Sequence, residues 1–586
     1  MKNFTLKKIK MQRFTFLLAT MLYTFTVTAQ TNLQKVHPSV WEAMRGGKAD
    51  FFIIMKDQAD ISRAASLNSK EEKGEYVFNI LRGSAEQSQA PIKSLLQAQS
   101  LDFQSFWIVN AIYTKGDLAL IQQLAQREDV AQIINNPNAI NRLPNAEPVG
   151  LQERGVQQLT WGVQKIKADS VWALGYRGQN VVVAGEDTGY DWQHPALKPK
   201  YRGWNGTTAD HSYNWHDAIH KDTSKTGNPC GYDVKIPCDD DRHGTHTMGT
   251  MIGSNDTLAM GVAPDAKWIG ARNMDRGDGT LQSYVECFQF FLAPTDTANK
   301  NPNPKKAPHV INNSWYCSPG EGCNSSNFAI LEKAVNNCRA AGIVVVVSAG
   351  NSGPSCSSVD GPPAFFAKAF SVGATSSTDT IANFSSRGPV TIDSSGRMKP
   401  NVSGPGVGVI SSVPNNGLAS LSGTSMSGPH IAGVVALMIS ANPALAGQVD
   451  TIERIIELTA KPLITAQNCG TILGTQVPNN TYGFGRVDAL AAVKKALLYK
   501  KLSKVVENQS VIKVYPNPFS SEITFYTEGV TGGIQLDIFN LNGQSIFSAK
   551  QNTAVFNIIL PNLASGIYFY RLNTEGGNLI GKLIKN

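Results

Sequence analysis

The sequence predicts an α/β protein built on a doubly wound, mainly parallel sheet, preceded by a small α+β unit and followed by a small all-β sandwich. Three observations predict this. Between Gln179 and Leu497, near-continuous apolar runs alternate with helical segments, the pattern of strands covered on both faces. Ahead of that stretch, strand-like and helical segments follow one another in the order β-α-β-β-α-β. Behind it, from about Lys504, short alternating strands are separated by Asn-Gly, Pro-Asn and Gly-rich turns. A chain of 586 residues exceeds the size of one hydrophobic core, so several domains are expected.

The elements follow in order. Lys2, Lys7, Lys8, Lys10 and Arg13 precede an apolar run from Phe14 to Thr28 closed by Ala29, which reads as a secretory signal peptide over residues 1–29. The run is shorter than the roughly 20 residues a membrane span needs. ADFFIIMK (49–56) reads as a strand, 71–99 as a helix, 102–114 as two strands around Asn110, and 115–134 as a helix then a strand, which together make a split ferredoxin-like unit. The Pro- and Asn-rich stretch from Asn135 to Pro148 reads as a linker. The strands of the large domain are NVVVAGED (180–187), KWIGARNM (267–274), HVINNSW (309–315), IVVVVSAGN (343–351) and FSVGAT (370–375). Functional loops belong beyond their carboxyl ends, where Asp187, Ser314 and Asn351 fall. The last domain is read from SVIKVYPNPF, EITFYT, IQLDIFNLNG, QSIFSA, FNIILPN and GIYFYRL.

Composition narrows the function. The 42% hydrophobic and 17% charged residues, with 52 Gly and 29 Pro, describe a globular, turn-rich chain. The formal charge of +8, from 53 basic and 45 acidic residues, comes without a long basic block, so no nucleic-acid partner is expected. No later run of about 18 apolar residues occurs, so no transmembrane segment is expected in the mature chain. Eight Cys between Cys230 and Cys469 suit disulfides formed in an oxidising compartment, with Cys230–Cys238 and Cys317–Cys323 as local pairs. Metal ligation is the lesser reading, because no CxxC or Cys/His spacing is present.

Three strings carry chemistry. Glu186-Asp187-Thr188-Gly189 lies at a strand end, His243-Gly244-Thr245-His246 opens a small-residue helix, and Gly423 to His430 (GTSMSGPH) opens a nearly all-apolar helix. They supply an acid, a base and a nucleophile: serine needs an imidazole to take its proton, and a buried carboxylate fixes the imidazole's tautomer. The helix starting at Ser425 adds free N–H groups and a positive dipole end. Asn351, ending a buried strand, can donate its amide to a developing oxyanion.

The order Asp, His, Ser in DTG, HGTH and GTSMSGPH, with the Asn of SAGN, resembles the subtilisin-like serine proteases, as do NFSSRGP (383–389), KPNVSGPG (399–406) and YGFGRVD (482–488). HGTHTMGTM, KWIGARNM, FQFFLAPTD and HVINNSW look most like the bacillopeptidase F branch. The resemblance covers about residues 150–497. It implies a secreted serine endopeptidase with Asp187 as orienting acid, His243 as general base, Ser425 as nucleophile, and Asn351 with the Ser425 N–H as oxyanion hole. Ser314, Trp315 and Tyr316, with Ser348, Ala349 and Gly350, would be the extended segments that pair with substrate. No cofactor is implied for catalysis. Structural calcium is common among relatives, and the loops Cys238–Asp241 and Asp275–Asp278 carry suitable oxygens, although no ligand is assigned.

Residues 30–148 are similar to the inhibitory propeptides of the family, which cover the sheet-side helices and feed their C-terminal tail through the cleft, so the chain's partners would include its own propeptide and autocleavage is expected between Asn138 and Trp161. The catalytic domain would then span 149–500. Residues 505–586 resemble the sorting domain of the Bacteroidetes type IX secretion system through VYPNPF, IFNLNGQSIF and LASGIYFYRL. That implies contact with the secretion machinery, passage through periplasm and outer membrane, and release or surface attachment. Arg242 before HGTH, Tyr316 after SW, and Asn401 in KPN depart from the family pattern. Of these, Tyr316 bears on substrate preference.

Other readings are weaker. An aspartic protease needs a second carboxylate string like DTG, which is missing. A zinc protease needs HExxH, and Gly244 stands at the Glu position. Glu186 beside Asp187 suggests a sedolisin, but HGTH argues against it. A carbohydrate-binding module at the C-terminus would show an exposed aromatic platform, and none is identifiable. A degraded enzyme kept as a scaffold would have lost one of Asp187, His243, Ser425 or Asn351, and all four are present.

Overall fold

A computed structural model of the chain describes residues 33–136, 138–140, 143, 145, 147–148, 157–221, 227–317, 323–506, 511–528, 533–553, 555–574 and 577–586. The signal peptide and much of the expected cleavage window lie outside the described residues. The chain divides into two compact units, Met1–Ala496 and Leu497–Asn586.

The first unit begins with β1 (Ala49–Met55), α1 (Lys70–Ala98), β2 (Phe103–Phe106), β3 (Ala111–Gly116), α2 (Leu118–Ala125) and β4 (Val130–Asn135). Its sheet runs β2-β3-β1-β4, with every pair antiparallel. A capping box fixes where α1 starts: Ser69 Oγ accepts from Glu72 N, and the Glu72 carboxylate accepts from Ser69 N. Asn110 makes the turn into β3 with a left-handed φ of 45°. The chain then lies along the large domain in short extended pieces, β5 (Asn138–Ile140), β6 (Glu147–Pro148) and β7 (Gln158–Leu159).

The large domain contains β8 (Val182–Asp187), β9 (Trp215–Asp217), α3 (His243–Ile252), β10 (Leu258–Ala259), β11 (Lys267–Arg272), β12 (Met274–Asp275), β13 (Asp278–Thr280), α4 (Leu281–Leu292), β14 (Val310–Asn313), α5 (Phe328–Ala340), β15 (Val344–Ser348), β16 (Phe370–Thr375), β17 (Val402–Pro405), β18 (Val409–Val413), β19 (Gly417–Leu421) and α6 (Thr424–Ala441). Seven strands form one sheet in the order β17-β16-β15-β14-β8-β11-β9, parallel throughout. The strand order reverses around β8 and β14, so a crevice opens beyond their carboxyl ends. The sheet extends further than the five strands read from apolar runs. Its edge strands, Trp-His-Asp in β9 and Val-Ser-Gly-Pro in β17, are too short and polar to signal themselves in the sequence.

Helices α3 and α6 cover one face of this sheet, and α4 and α5 the other. All of α6 but one residue is buried, which explains its nearly unbroken apolar sequence. The small sheet is joined to the other face. Alternate residues of β1 sort to its two sides: Phe51, Ile53 and Met55 enter a cluster with Ile92, Leu96 and Leu124 of their own helices. Phe52 enters the main core together with Phe288 of α4 and Leu331 of α5, and Ile54 packs against it. Three further pairings tie the intervening chain down: β5 runs antiparallel to β13, β6 antiparallel to β19, and β7 parallel to β10.

Disulfides join Cys230 to Cys238, Cys317 to Cys323, and Cys356 to Cys469. Cys287 and Cys338 stay as buried thiols on α4 and α5, so the even count overstates the cross-linking.

The second unit carries β20 (Val511–Tyr515), β21 (Glu522–Glu528), β22 (Ile534–Phe539), β23 (Ser545–Gln551), β24 (Val555–Ile559), β25 (Gly566–Thr574) and β26 (Gly577–Lys585). Sheets β20-β21-β24 and β23-β22-β25-β26 share one core that includes Phe525, Phe556, Ile538 and Leu572.

Candidate active site

Asp187 is the last residue of β8, held at the carboxyl end of the central sheet. Its Oδ1 accepts from Thr188 N at 2.8 Å and from His243 Nδ1 at 2.7 Å, with both partners fully buried. An acceptor on Nδ1 places the proton there and leaves Nε2 as the basic nitrogen. Among the described residues, Nε2 has no hydrogen-bond partner.

The start of α3 is built to hold that imidazole. Thr188 Oγ1 accepts from Gly244 N at 3.0 Å, and Asp239 accepts from Thr245 N at 2.9 Å, so two orphan N–H groups of the first turn are satisfied. Thr188 in turn donates to Asp239 at 2.8 Å. Gly244 admits no side chain: a Cβ would lie 2.0 Å from the Gly189 carbonyl oxygen. Gly189, at φ 106°, is equally constrained, since a Cβ would meet the Cys238 carbonyl oxygen at 1.8 Å. The glycines of DTG and HGTH therefore let acid and base approach through bare backbone.

The three motif histidines differ electrostatically. Burial pulls His243 down, but the charge and hydrogen bond of Asp187, with the Asp241 and Asp239 carboxylates beyond, outweigh it and hold the imidazole above its ordinary value. Burial drives His246 to about 3, with its Nε2 against the Val409 and Ala419 carbonyls, and His430 to about 4, with Nδ1 on Met426 O. Those two are neutral core residues. Glu186 is buried behind Asp187, and desolvation plus the neighbouring charge push its carboxyl well above the usual range, so it stays protonated.

Ser425 occupies the first turn of α6 and is 5% exposed. Pro429 lies four residues on and has no N–H, so it frees the Ser425 carbonyl from the helix ladder. Ser314 takes up that carbonyl, donating Oγ to it at 2.8 Å, while Asn312 Nδ2 donates to Ser314 Oγ at 2.9 Å. In return, Ser425 Oγ donates to Ser314 O at 3.2 Å. Ser425 Oγ is thus bonded to Ser314 O and not to His243 Nε2; to act as a nucleophile it would have to turn this proton to the imidazole, as where such hydrogen bonds tighten only on substrate binding. Asn351 Oδ1 accepts from Thr424 N and Thr424 Oγ1, both at 2.9 Å. With its oxygen committed twice, the amide has Nδ2 left as its donor end.

The expected substrate segments are differently placed. Ser314 is buried under Ser425, and Trp315 turns its ring into the core, stacked on Tyr284 at 3.8 Å between centroids. Tyr316 is partly exposed. Ser348 and Ala349 are buried, Ala349 N donates to Val372 O at 3.0 Å, and Gly350 O accepts from Ser386 N at 2.9 Å, so part of this backbone is committed to the sheet and its loop. The loops considered for calcium spend oxygens on protein donors: Asp239 on Thr188 and Thr245, and Asp240 on Arg272 and Asn228. Among the described residues, no group of three or more His, Cys, Asp or Glu is arranged to hold a metal ion. Sequence reasoning passed over Thr188, Asp239 and Pro429. The run of Asp before HGTH and the serine-to-proline spacing of four were the available signals.

The sequence model described as the Subtilase family matches residues 178–485, and that described as the secretion system C-terminal sorting domain matches 513–586. Bacillopeptidase F of Bacillus subtilis (strain 168) is 35% identical over 479 residues, 76% of this chain but only 31% of that protein, so the chain spans about a third of its length. Subtilisin DY of Bacillus licheniformis is 34% identical over 292 residues, 49% of this chain and 87% of the relative. Alkaline elastase YaB of Bacillus sp. (strain YaB) is 30% identical over 341 residues, 58% and 71% respectively.

Proposed function

The chain belongs to the subtilase family, and from that premise we propose that it is a secreted serine endopeptidase made as a self-processing zymogen. The observation that carries the reading is the buried 2.7 Å contact between His243 Nδ1 and Asp187 Oδ1, in the one motif histidine whose basicity is raised.

Ser425 Oγ bonds to the carbonyl carbon of the scissile peptide as its proton passes to His243 Nε2. The carbonyl oxygen gains the negative charge and accepts from the Ser425 N–H and Asn351 Nδ2. The imidazolium, steadied by Asp187, returns the proton to the leaving nitrogen as the C–N bond breaks and the acyl-enzyme forms. Water then gives a proton to His243 and attacks the ester, releasing the acid and restoring Ser425. No cofactor enters these steps.

We further assign residues 1–29 as signal peptide, 30–148 as an inhibitory propeptide with a ferredoxin-like body, 149–500 as the catalytic domain, and 505–586 as the sorting domain. Two features support the propeptide: β1 to β4 cover α4 and α5, and β5 and β6 run as added strands on β13 and β19. The sorting-domain match supports export by the type IX route through periplasm and outer membrane, ending in release or surface attachment.

A fluorophosphonate probe with a casein assay tests the activity. Labelling and proteolysis should both occur in the processed protein, and both should vanish in Ser425→Ala and His243→Ala, whose counterparts in subtilisin lose about 10⁶-fold in kcat. A folded, processed wild type that takes no label would instead favour a scaffold. Asn351→Ala should cost about 3 kcal/mol of transition-state stabilisation, the magnitude found for the equivalent donor in subtilisin. The acid limb of kcat/KM should lie above the ordinary imidazole range and fall in Asp187→Asn.

A further inference from the structure

The strands β14 and β15 pair as far as Asn313 and Val347 and then separate. The two segments that continue them flank the nucleophile. Ser314 exchanges hydrogen bonds with Ser425, and Asn351 is fixed on Thr424. A peptide attacked by Ser425 Oγ would lay the side chain on its acyl side in the gap between these segments, beside Ser314 and Asn351.

That gap is filled by a residue of the chain itself. Tyr316 projects from one wall, and its hydroxyl lies 3.4 Å from Ser352 Oγ on the other, directly after the oxyanion residue Asn351. The floor is the Gly361–Pro362 segment, tied to the first wall by Cys317 N donating to Pro362 O at 2.9 Å. The tyrosine ring rests on Gly361 so closely that a Cβ there would come within 2.8 Å of Tyr316 Cδ2 and 2.7 Å of Cys317 O. Glycine at 361 is thus what allows the ring to lie down in the gap. The Cys317–Cys323 disulfide anchors the residue that follows.

We propose that Tyr316 closes the pocket for the residue preceding the scissile bond, so that the enzyme cleaves after small side chains such as glycine, alanine and serine and rejects aromatic and long aliphatic ones. The proposal rests on the serine-peptidase reading above and specifies its substrate class. Discrimination by occupied volume needs the ring and not its hydroxyl, which separates Tyr316→Gly from Tyr316→Phe.

The test is a series of tetrapeptide p-nitroanilides that differ only in the last residue (Ala, Leu or Phe), cleaved by processed enzyme whose active sites have been titrated with a fluorophosphonate. The wild type should favour Ala over Phe by about tenfold or more in kcat/KM, Tyr316→Gly should raise the Phe-to-Ala ratio by about tenfold or more, and Tyr316→Phe should keep the wild-type ratio. Because ratios are compared per titrated site, partial misfolding of a variant does not mimic the effect. A wild type that cleaves after Phe as readily as after Ala, or a ratio unmoved in Tyr316→Gly, overturns the proposal while leaving the labelled serine peptidase standing. Absence of both labelling and hydrolysis of every substrate overturns both.

Discussion

The N-terminal strand β1 and the C-terminal strand β22 are both central, antiparallel and short, yet they are buried differently. In β1 (ADFFIIM) residues on both faces are covered, whereas in β22 (IQLDIF) buried positions alternate strictly with half-buried ones. The second face of β22 carries Gln535 and Asp537, and Asp537 accepts from Ser548 Oγ at 2.6 Å. The second face of β1 carries Phe52 and Ile54, which pack against the core shared with α4 and α5. A sheet that is apolar on both faces is one layer of a larger core; a sheet polar on one face stands by itself. The N-terminal sheet is therefore one layer of a core it shares with α4 and α5, and the C-terminal strands have a core of their own.

Deleting each unit gives the largest expected contrast. A chain made without 33–136 must fold α4 and α5 with no partner for their outer apolar face, so it should fail to reach a soluble, fluorophosphonate-labelled state, whereas a body already folded should outlast the later departure of that unit. Removing 511–586 should leave labelling and thermal midpoint unchanged while abolishing export. Equal behaviour of the two deletions would break the comparison. Single residues sharpen it. Phe52→Ala should cost about 3–5 kcal/mol, expressed at the seam as earlier departure of the N-terminal unit and a shorter lag before activity. Ile538→Ala should cost about 2–5 kcal/mol within the C-terminal unit alone, with no change in that lag.

The same contrast explains how much was legible in the sequence. Alternation in β22 and continuous Val runs in β15 announce their own burial, and five strands of the large sheet could be placed from such runs. Asp187, Ser314 and Asn351 could be placed because they interrupt or end those runs. Which surface covers an apolar face is not written in its period: that this unit would lie over helices of the large domain came from the propeptide resemblance, and the meeting of Phe52 with Phe288 and Leu331 from neither. Ser314 to Tyr316 could be read as an extended segment, but not that alternation along it sends the Trp315 ring into the core, onto Tyr284. Pro429 could be read only as a helix oddity until Ser314 Oγ was found on the carbonyl it frees. An even number of cysteines could not tell Cys287 and Cys338, buried on separate helices, from the six that pair.

The smallest expected effect lies at the polar edge of the seam, and it depends on pH. Glu286 of α4 is buried between two histidines, with His216 Nε2 at 2.8 Å and His220 Nε2 at 2.9 Å, while His220 Nδ1 lies 2.6 Å from Asp233. From the N-terminal unit, Gln104 donates to Glu286 at 2.6 Å, and Asp50 accepts from Lys221 at 2.8 Å. Burial alone would lower His220, but Glu286 and Asp233 hold it at about 9, and the two histidines hold Glu286 well below the usual carboxylate range. A histidine raised on folding contributes stability that is fully present below its unfolded value of about 6.5 and is lost as pH rises through the folded one. The depressed Glu286 contributes only above the ordinary carboxylate range and is ionised throughout this window. Between pH 7 and pH 9.5, His220 therefore sheds its charge and leaves Glu286 ionised beneath the N-terminal unit, so departure of that unit into water becomes more favourable. The lag before activity should shorten across that interval. In His220→Gln it should be short already at pH 7 and lose most of its pH dependence, whereas Gln104→Ala should shorten it at every pH without flattening the profile. A lag indifferent to pH between 7 and 9.5, or a His220→Gln profile like the wild type's, would show that the seam is held by its apolar side alone and that Phe52 and its neighbours carry the whole difference between the two units.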